Sequence, residues 1–586
     1  MALNLYQLPE KEERGVHVSR RFDTLLARIV DRPLPLLIPL ILLSPTLFLG
    51  FVADDYFHQL MLASSDHPLF INTQPILDLF SFIPADGSAR ASLIEQGVLP
   101  WWHSEGTQGR FFRPVAALTH IADHMLWAES AFMQHLHSLA WLVACGFCVR
   151  RLYKITGLSG RVLGLAVVFF LVDEAHVMPA GWIANRNILI CLVFSCCSIE
   201  QFIRWRQGAS RLYVSMALYI LSILSSEGGV VSCGYAFAWV WVYEHKMTTR
   251  LKALAPLALV TVVWRVIYGR LGYGLTDMGL YTDPLAEPFT FLLQSLVRIP
   301  TLLSGLFLQA PIDILLLFPD SVALGIAAAF LVFLLRFGTQ VFQFLNRSNE
   351  TKFWGIALIL SLIPFTATLP MSRLLLIPSV AAAALFALYL KECTDLTRHP
   401  LYWLHVPLAC CLCVLGSIGL YGFKHAADLP SKSWPEKLTQ QAHIIYFNGF
   451  SLPAGFSYLH KLYESEITPA SVQVLSHATQ SQVVERLDSH TLRITSDRGW
   501  LHLPIERMLR NQTVSFKVNS QIRTPRFLAT VERLTPDDRP QSVRFRFDEV
   551  LEHPMYRWVC FRPMTLTECD PPTQGKPMHL DGIVSW

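Results

Sequence analysis

The sequence predicts a mainly α, polytopic membrane protein of about eleven transmembrane helices, followed by a small C-terminal β-rich outer domain. Three observations predict it. The 586 residues are 52% hydrophobic and only 16% charged, with a mean hydropathy of +0.38, which is too apolar for a soluble chain of this length. The apolar residues come in blocks of bilayer-spanning size. From about residue 430 those blocks stop, and short period-two alternations replace them. The net charge of +4 is small. The basic residues cluster between apolar blocks, which reads as membrane topology and gives no sign of a nucleic-acid partner.

The elements follow in order. Residues 1–33 carry Lys11, Arg14, Arg20, Arg21, Arg28 and Arg32; the positive-inside rule makes this a cytoplasmic tail. It lacks the apolar core of a cleavable signal. A first span, Leu34 to Val52, delivers Asp54 and Asp55 to the outer face. An outer loop, 54–132, holds amphipathic pieces at Pro75 to Ile83 and Val115 to Trp127. Its Trp101-Trp102 pair suits a membrane interface. Spans follow at 136–153, 162–172, 187–204, 212–226, 229–244 and 253–268. Residues 269–319 are broken by Pro300, Pro311 and Pro319 and predict interfacial or re-entrant helices, with a hairpin of two further spans as the alternative. The last spans are 320–338, 353–369, 374–390 and 402–423, closing a transmembrane domain over 34–425. Inner loops carry basic clusters such as Arg150, Arg151 and Lys154, or Lys246, Arg250 and Lys252.

The outer domain, 430–586, shows strand-like alternation at Thr491 to Thr495, Val514 to Val518 and Val543 to Asp548. Of the twelve cysteines, most lie inside apolar blocks as small core residues. Cys145-x-x-Cys148 lacks a second ligand pair, so it does not predict a metal site. Cys560 and Cys569 are the only two in the outer domain, and an oxidising compartment would permit a disulfide between them.

The chemistry-bearing residues gather on the outer face. Asp54 and Asp55 end the first span, and His58 follows Asp54 at i+4, on the same helical side. Arg113-Pro114, His176, Arg186, Glu227 and Arg373 sit at later outer turns. Singly, each has an ordinary explanation: acids cap helices and arginines snorkel. Together, ionisable groups at a membrane face point to a site. Acids with arginines suit a phosphate leaving group, with Arg holding the phosphate and a carboxylate taking the acceptor proton.

The motif order resembles that of GT-C-type polyprenyl- or dolichyl-phosphate-sugar glycosyltransferases, closest to bacterial relatives of the transmembrane and tetratricopeptide-repeat O-mannosyltransferases. The resemblance rests on Phe51-Val-Ala-Asp54-Asp55, and on Phe112-Arg113-Pro114 followed by His135 or His137. Asp173-Glu-Ala-His176 through Trp182 to Arg186, Ser225-Ser226-Glu227, and Arg373 through Pro378-Ser379 complete it. It covers most of residues 40–390. The chain departs from the pattern at Glu174, Ser226 and Leu374, and no 34-residue repeat follows. The resemblance implies transfer of a mannose-like sugar from a polyprenyl-phosphate donor to a hydroxyl on a protein, lipid or glycan acceptor, with inversion. Asp54 or Asp55 would be catalytic, Asp54 preferred. His58, Arg113, His176, Arg186, Glu227 and Arg373 would bind donor phosphate or substrate, with Arg113, Arg186 and Arg373 as a phosphate clamp. No metal and no cofactor are implied. The expected location is a bacterial inner membrane, with the site facing the periplasm. A transporter, or an inactive scaffold whose outer domain binds carbohydrate or protein, is the alternative.

Overall fold

The computed structural model describes residues 34–583, except 64–66, 68, 71–72, 392–399, 433, 435–440, 465–467, 512–514 and 563–564. The cytoplasmic tail expected at 1–33 lies outside the described residues. Among those described, eight helices are long and apolar enough to cross a membrane: Ala131–Ile155, Ile183–Arg206, Met247–Arg270, Pro288–Leu308, Asp320–Leu345, Asn349–Ala367, Ser372–Leu390 and His405–Ser431. The pair Gly160–Leu171 and Glu174–Gly181, bent by 50°, makes a ninth if counted as one span. The protein is polytopic and mainly α, with fewer full-length helices than the eleven expected.

Three of the eleven expected blocks fall short, 162–172 is one half of the bent pair, and Pro288–Leu308 is a long helix outside the eleven. Residues 34–52 form 3-10 turns at Leu34–Leu37 and Ser44–Phe48 around a five-residue α-helix, Ile38–Leu42. Pro35, Pro39 and Pro45 each lack an N–H and clash with a preceding turn, so helix restarts there instead of continuing. The blocks at 212–226 and 229–244 become helices Leu212–Ile223 and Val231–Tyr243, of 12 and 13 residues. At 1.5 Å per residue they reach about 18 and 20 Å, against a hydrocarbon core of about 30 Å. Their junction is tight: a Cβ on Gly229 would meet Ser222 Oγ at 2.6 Å.

The proline-broken stretch holds a single long helix. Helix Pro288–Leu308 has 21 residues, yet both of its flanks meet one stretch of the C-terminal domain. Asn511 Nδ2 donates to Glu287 Oε1 at 3.4 Å, and the Ile505 N–H donates to Leu316 O at 3.2 Å. Both flanks thus meet residues 505–511, and the stretch carries one long helix with a 3-10 turn at Ile312–Leu317, in place of a hairpin of two long helices.

The side that carries residues 81–110 and the C-terminal domain is built largely from strands. β1 (Ser81–Ile83), β2 (Gln108–Arg110) and β3 (Gly274–Thr276) form a small sheet in the order β1-β2-β3, tying the first outer loop to the turn after Arg270. Among the described residues the C-terminal domain has two sheets. In the first, β4 (His443–Tyr446) runs parallel to both β5 (Ser471–Val474) and β11 (Tyr556–Arg562). Parallel neighbours need a crossover, and helix Ser451–Glu464 supplies the one from β4 to β5. The second sheet is antiparallel and runs β13 (Met578–Leu580), β6 (Gln482–Arg486), β7 (Thr491–Ser496), β10 (Pro540–Phe547), β9 (Phe527–Leu534), β8 (Gln521–Arg523). There β7 pairs with β10, aligning Leu492 with Phe545 and Ile494 with Val543. Those four side chains are buried, while the intervening Arg493 and Arg544 keep solvent contact, the alternation the sequence shows. Of the strand expected over 514–518, residue 514 lies outside the described residues and 515–518 form no strand. Residues 515–518 run as irregular chain into a turn with Asn519 at φ 68°, before β8 (Gln521–Arg523). Cys560 and Cys569 are disulfide-bonded.

Trp101 and Trp102 do not lie in a membrane interface. They are 1% and 0% exposed, and they pack against the C-terminal domain. Trp101 Nε1 donates to Leu475 O at 3.0 Å, and Arg510 Nη1 donates to Trp102 O at 3.0 Å. One apolar core runs from the first outer loop into the two sheets, so loop 54–132 and the C-terminal domain share a side of the protein.

Candidate functional site

The site is organised by the turn that precedes helix Asp54–Leu62. Gly50 sits at φ 77° and Ala53 at φ 49°, ψ −109°. A non-glycine residue held there costs about 1–3 kcal/mol, a cost that recurs at functional sites. The turn brings the two adjacent acids into different surroundings.

Asp55 is buried and spent on backbone. Its Oδ2 accepts the Val52 N–H at 2.9 Å and its Oδ1 accepts the Ala184 N–H at 2.8 Å. It therefore staples the first outer loop to the turn between Trp182 and Arg186. Burial raises its pKa to about 7, against the opposing pull of those two N–H donors. Asp54 keeps solvent contact, and among the described residues no hydrogen bond occupies its carboxylate. Burial raises its pKa to about 6, and the charge of Arg373 lowers it. Consecutive helical residues differ by about 100° in direction, which is why one acid faces inward and its neighbour does not.

The three arginines also separate. Arg373 lies in the 3-10 turn Ser372–Leu375 and is half-buried. The turn is anchored by Asp313, which accepts the Ser372 N–H at 3.2 and 3.3 Å. Arg373 Nη1 donates to Asn185 Oδ1 at 3.3 Å. Arg113 donates from Nε and Nη2 to Glu227 Oε2, at 2.8 and 2.7 Å. The Tyr268 hydroxyl donates to the other oxygen of Glu227 at 3.4 Å, and the Arg113 guanidinium lies 4.1 Å from the centre of the Phe111 ring.

Arg186 is 0% exposed. It pairs with Asp123, donates from Nε to Ser138 Oγ at 2.9 Å, and donates from Nη2 to Gln134 O at 2.8 Å. With its donors turned inward, it braces three helices and does not present a fork to a phosphate. The expected three-arginine clamp is therefore not present as such: Arg186 is turned inward, Arg113 is paired with Glu227, and Arg373 is the partly open guanidinium of the three.

The histidines are interior. His58 is 1% exposed, with Phe80 and His120 rings 4.9 and 5.1 Å away. Burial, with the nearby arginines, pushes its pKa down to about 3, so it is a neutral ring and no phosphate-binding cation. Sharing a helix with Asp54 does not bring it to the opening. His176 is 1% exposed, and its Nδ1 donates to Asp173 O at 2.8 Å.

Sequence reasoning passed over Asp123, Gln134, Ser138 and Asp313. Two had a signal: Asp123 and Asp313 are single acids inside apolar runs, where an unpaired charge is costly. Among the described residues no three His, Cys, Asp or Glu side chains are gathered as a metal site. What the arrangement offers chemically is a carboxylate with a free lone pair, within electrostatic reach of a guanidinium that is partly open to solvent.

No protein-family model matches the chain, and no curated protein matches it. Among solved structures, the apo oligosaccharyltransferase of Archaeoglobus fulgidus superposes with a TM-score of 0.38 at 12% identity, over 77% of this chain and 64% of that one. The chain thus spans less than two thirds of that protein. ArnT from Cupriavidus metallidurans, bound to undecaprenyl phosphate, gives a TM-score of 0.34 at 9% identity, over 75% of this chain and 89% of that one. Likenesses this slight assign neither fold nor chemistry, which rest on the geometry above.

Proposed function

We propose that the chain is a membrane glycosyltransferase of the GT-C type. It moves a mannose-like sugar from a polyprenyl-phosphate donor to a hydroxyl of a protein, lipid or glycan acceptor, on the periplasmic face of a bacterial inner membrane. The observation that carries this reading is the contrast within the acid pair: Asp55 is tied to backbone, and Asp54 is free, partly exposed and under the field of Arg373. The motif order of residues 40–390 points the same way.

In this reading Asp54 accepts the proton of the acceptor hydroxyl. The oxygen attacks the anomeric carbon as the bond from that carbon to the phosphate oxygen breaks on the opposite side, with inversion. The lipid phosphate departs with the bonding pair, and Arg373 offsets the growing negative charge. Arg113 holds its shape through Glu227 and forms the neighbouring wall. Arg186 keeps the helices that carry the site in place.

The test is transfer of radiolabelled sugar from undecaprenyl-phosphate mannose to membrane extract by the purified chain. Transfer by the wild type that falls about 10²-fold or more in Asp54→Asn, with donor binding kept, supports the assignment. Donor bound but never consumed by the wild type would make it a scaffold. Donor moved across vesicles without sugar transfer would make it a transporter.

A further inference from the structure

We infer that Lys424 is a positioning residue for Asp54: its ammonium fixes the strained Gly50–Ala53 turn and couples that turn to the C-terminal domain. The inference rests on the glycosyltransferase reading for its kinetic consequence, and on geometry alone for its structural one.

Lys424 lies near the outer end of helix Pro400–Lys432. A lysine ammonium has three N–H donors, and three acceptors surround this one. It donates to Phe51 O at 2.7 Å, to the Tyr56 hydroxyl at 3.0 Å, and to Asp428 Oδ2 at 3.1 Å. The cation is therefore fully committed within the protein and has no donor left for a ligand.

What it holds is the backbone just before Asp54. The preceding carbonyl, Gly50 O, accepts from His135 Nε2 at 2.9 Å. Two consecutive carbonyls and the Val52 N–H, bonded to Asp55, are thus pinned from three different elements. Such over-determination is what keeps Ala53 at a positive φ. Gly50 itself faces the lysine: a Cβ there would lie 3.7 Å from Nζ.

The other side of the cluster belongs to the C-terminal domain. Asp428 lies 3.8 Å from His460 Nδ1, on helix Ser451–Glu464. The His460 and Tyr463 rings stand 4.7 and 5.6 Å from Tyr56, and Tyr463 stands 5.7 Å from Phe51. A shift of that helix would reach the turn through Tyr56, Asp428 and Lys424. One placed charge thereby links the outer domain to the direction in which Asp54 points.

Lys424→Met keeps the apolar stem and deletes the donors. In the full-length protein in lipid nanodiscs, amide exchange over 50–56 should quicken at least 10-fold, with exchange over the β7–β10 pair unchanged. Transfer from undecaprenyl-phosphate mannose should fall about 10- to 100-fold in kcat, with undecaprenyl phosphate binding unchanged, and Lys424→Arg should recover part of it. Exchange over 50–56 that stays at the wild-type rate overturns the inference, whatever the activity. Faster exchange there with undiminished transfer overturns its kinetic half, provided Asp54→Asn is inactive. If Asp54→Asn is itself fully active, the glycosyltransferase reading fails and the exchange result alone decides the role of Lys424.

Discussion

Asn substituted at Asp55 and at Asp54 should produce opposite phenotypes. Asp55 accepts two buried N–H groups, from Val52 and Ala184. An asparagine offers one acceptor oxygen, and its amide nitrogen would face the second N–H as another donor. Leaving one buried N–H without a partner costs about 1–3 kcal/mol. Taking about 2 kcal/mol, the local opening constant of the staple rises roughly 30-fold, at 1.36 kcal/mol per decade. Asp54 has no hydrogen bond to lose among the described residues, so Asp54→Asn should leave exchange over 50–56 and 182–186 within about 2-fold of wild type. Its transfer rate should instead drop by about 10²-fold or more. Hydrogen exchange by mass spectrometry, read beside a transfer assay on the same preparations, measures both. If Asp55→Asn leaves exchange unchanged while Asp54→Asn loosens the turn, the division between the two acids is the reverse of the one argued.

Other outcomes follow from the same geometry. Transfer should rise with pH through about 6, the value to which burial lifts Asp54, and Arg373→Gln should move that midpoint upward by removing the charge that lowers it. Asp54 and Asp55 both have folded pKa values above the ordinary one. Their stabilising contribution is therefore complete below about pH 4 and lost as pH climbs through 6 and 7, so exchange in the outer loop should quicken over the range in which activity appears. Arg113→Lys cannot reproduce two N–H bonds to Glu227, and about 2 kcal/mol of thermal stability should go with it; an unchanged melting temperature would show the pair to be idle. Reducing Cys560–Cys569, nine residues apart, should cost the C-terminal domain about 2–3 kcal/mol in urea unfolding followed by tryptophan fluorescence. Cysteines placed in 54–132 and in the C-terminal domain should react alike with an impermeant thiol reagent in intact cells, because the two regions share a core.

The bulk of the fold was legible because apolar blocks and period-two strands are properties of composition. Leu492, Ile494, Val543 and Phe545 announced their sheet by alternation alone, and it formed as written. Length was the weaker signal. Blocks 212–226 and 229–244 read as spans, but Glu227-Gly-Gly sits between them, and the close approach at Gly229 shortens both helices. The Trp101-Trp102 pair was misplaced for a related reason. Indole rings favour a membrane interface and a protein core for the same apolar area, and only the distant Leu475 and Arg510 decide between them.

The sequence shows the residues of the candidate site but not their surroundings. Arg113, Arg186 and Arg373 are alike in sequence: each ends an outer turn beside apolar residues. Their surroundings diverge through partners far along the chain, Glu227 for the first, Asp123 for the second, and Asn185 with the field of Asp54 for the third. A guanidinium buried at 0% exposure must be paired, since an uncompensated charge there would cost several kcal/mol; burial thus converts a candidate ligand into a brace. The same logic runs through the acids, where two adjacent carboxylates receive one structural and one open position. It extends to Lys424, a cation whose donors are taken by Phe51 O, the Tyr56 hydroxyl and Asp428. In each case the charge that departs from the pattern around it was the signal, and the neighbour that neutralises it supplies the role.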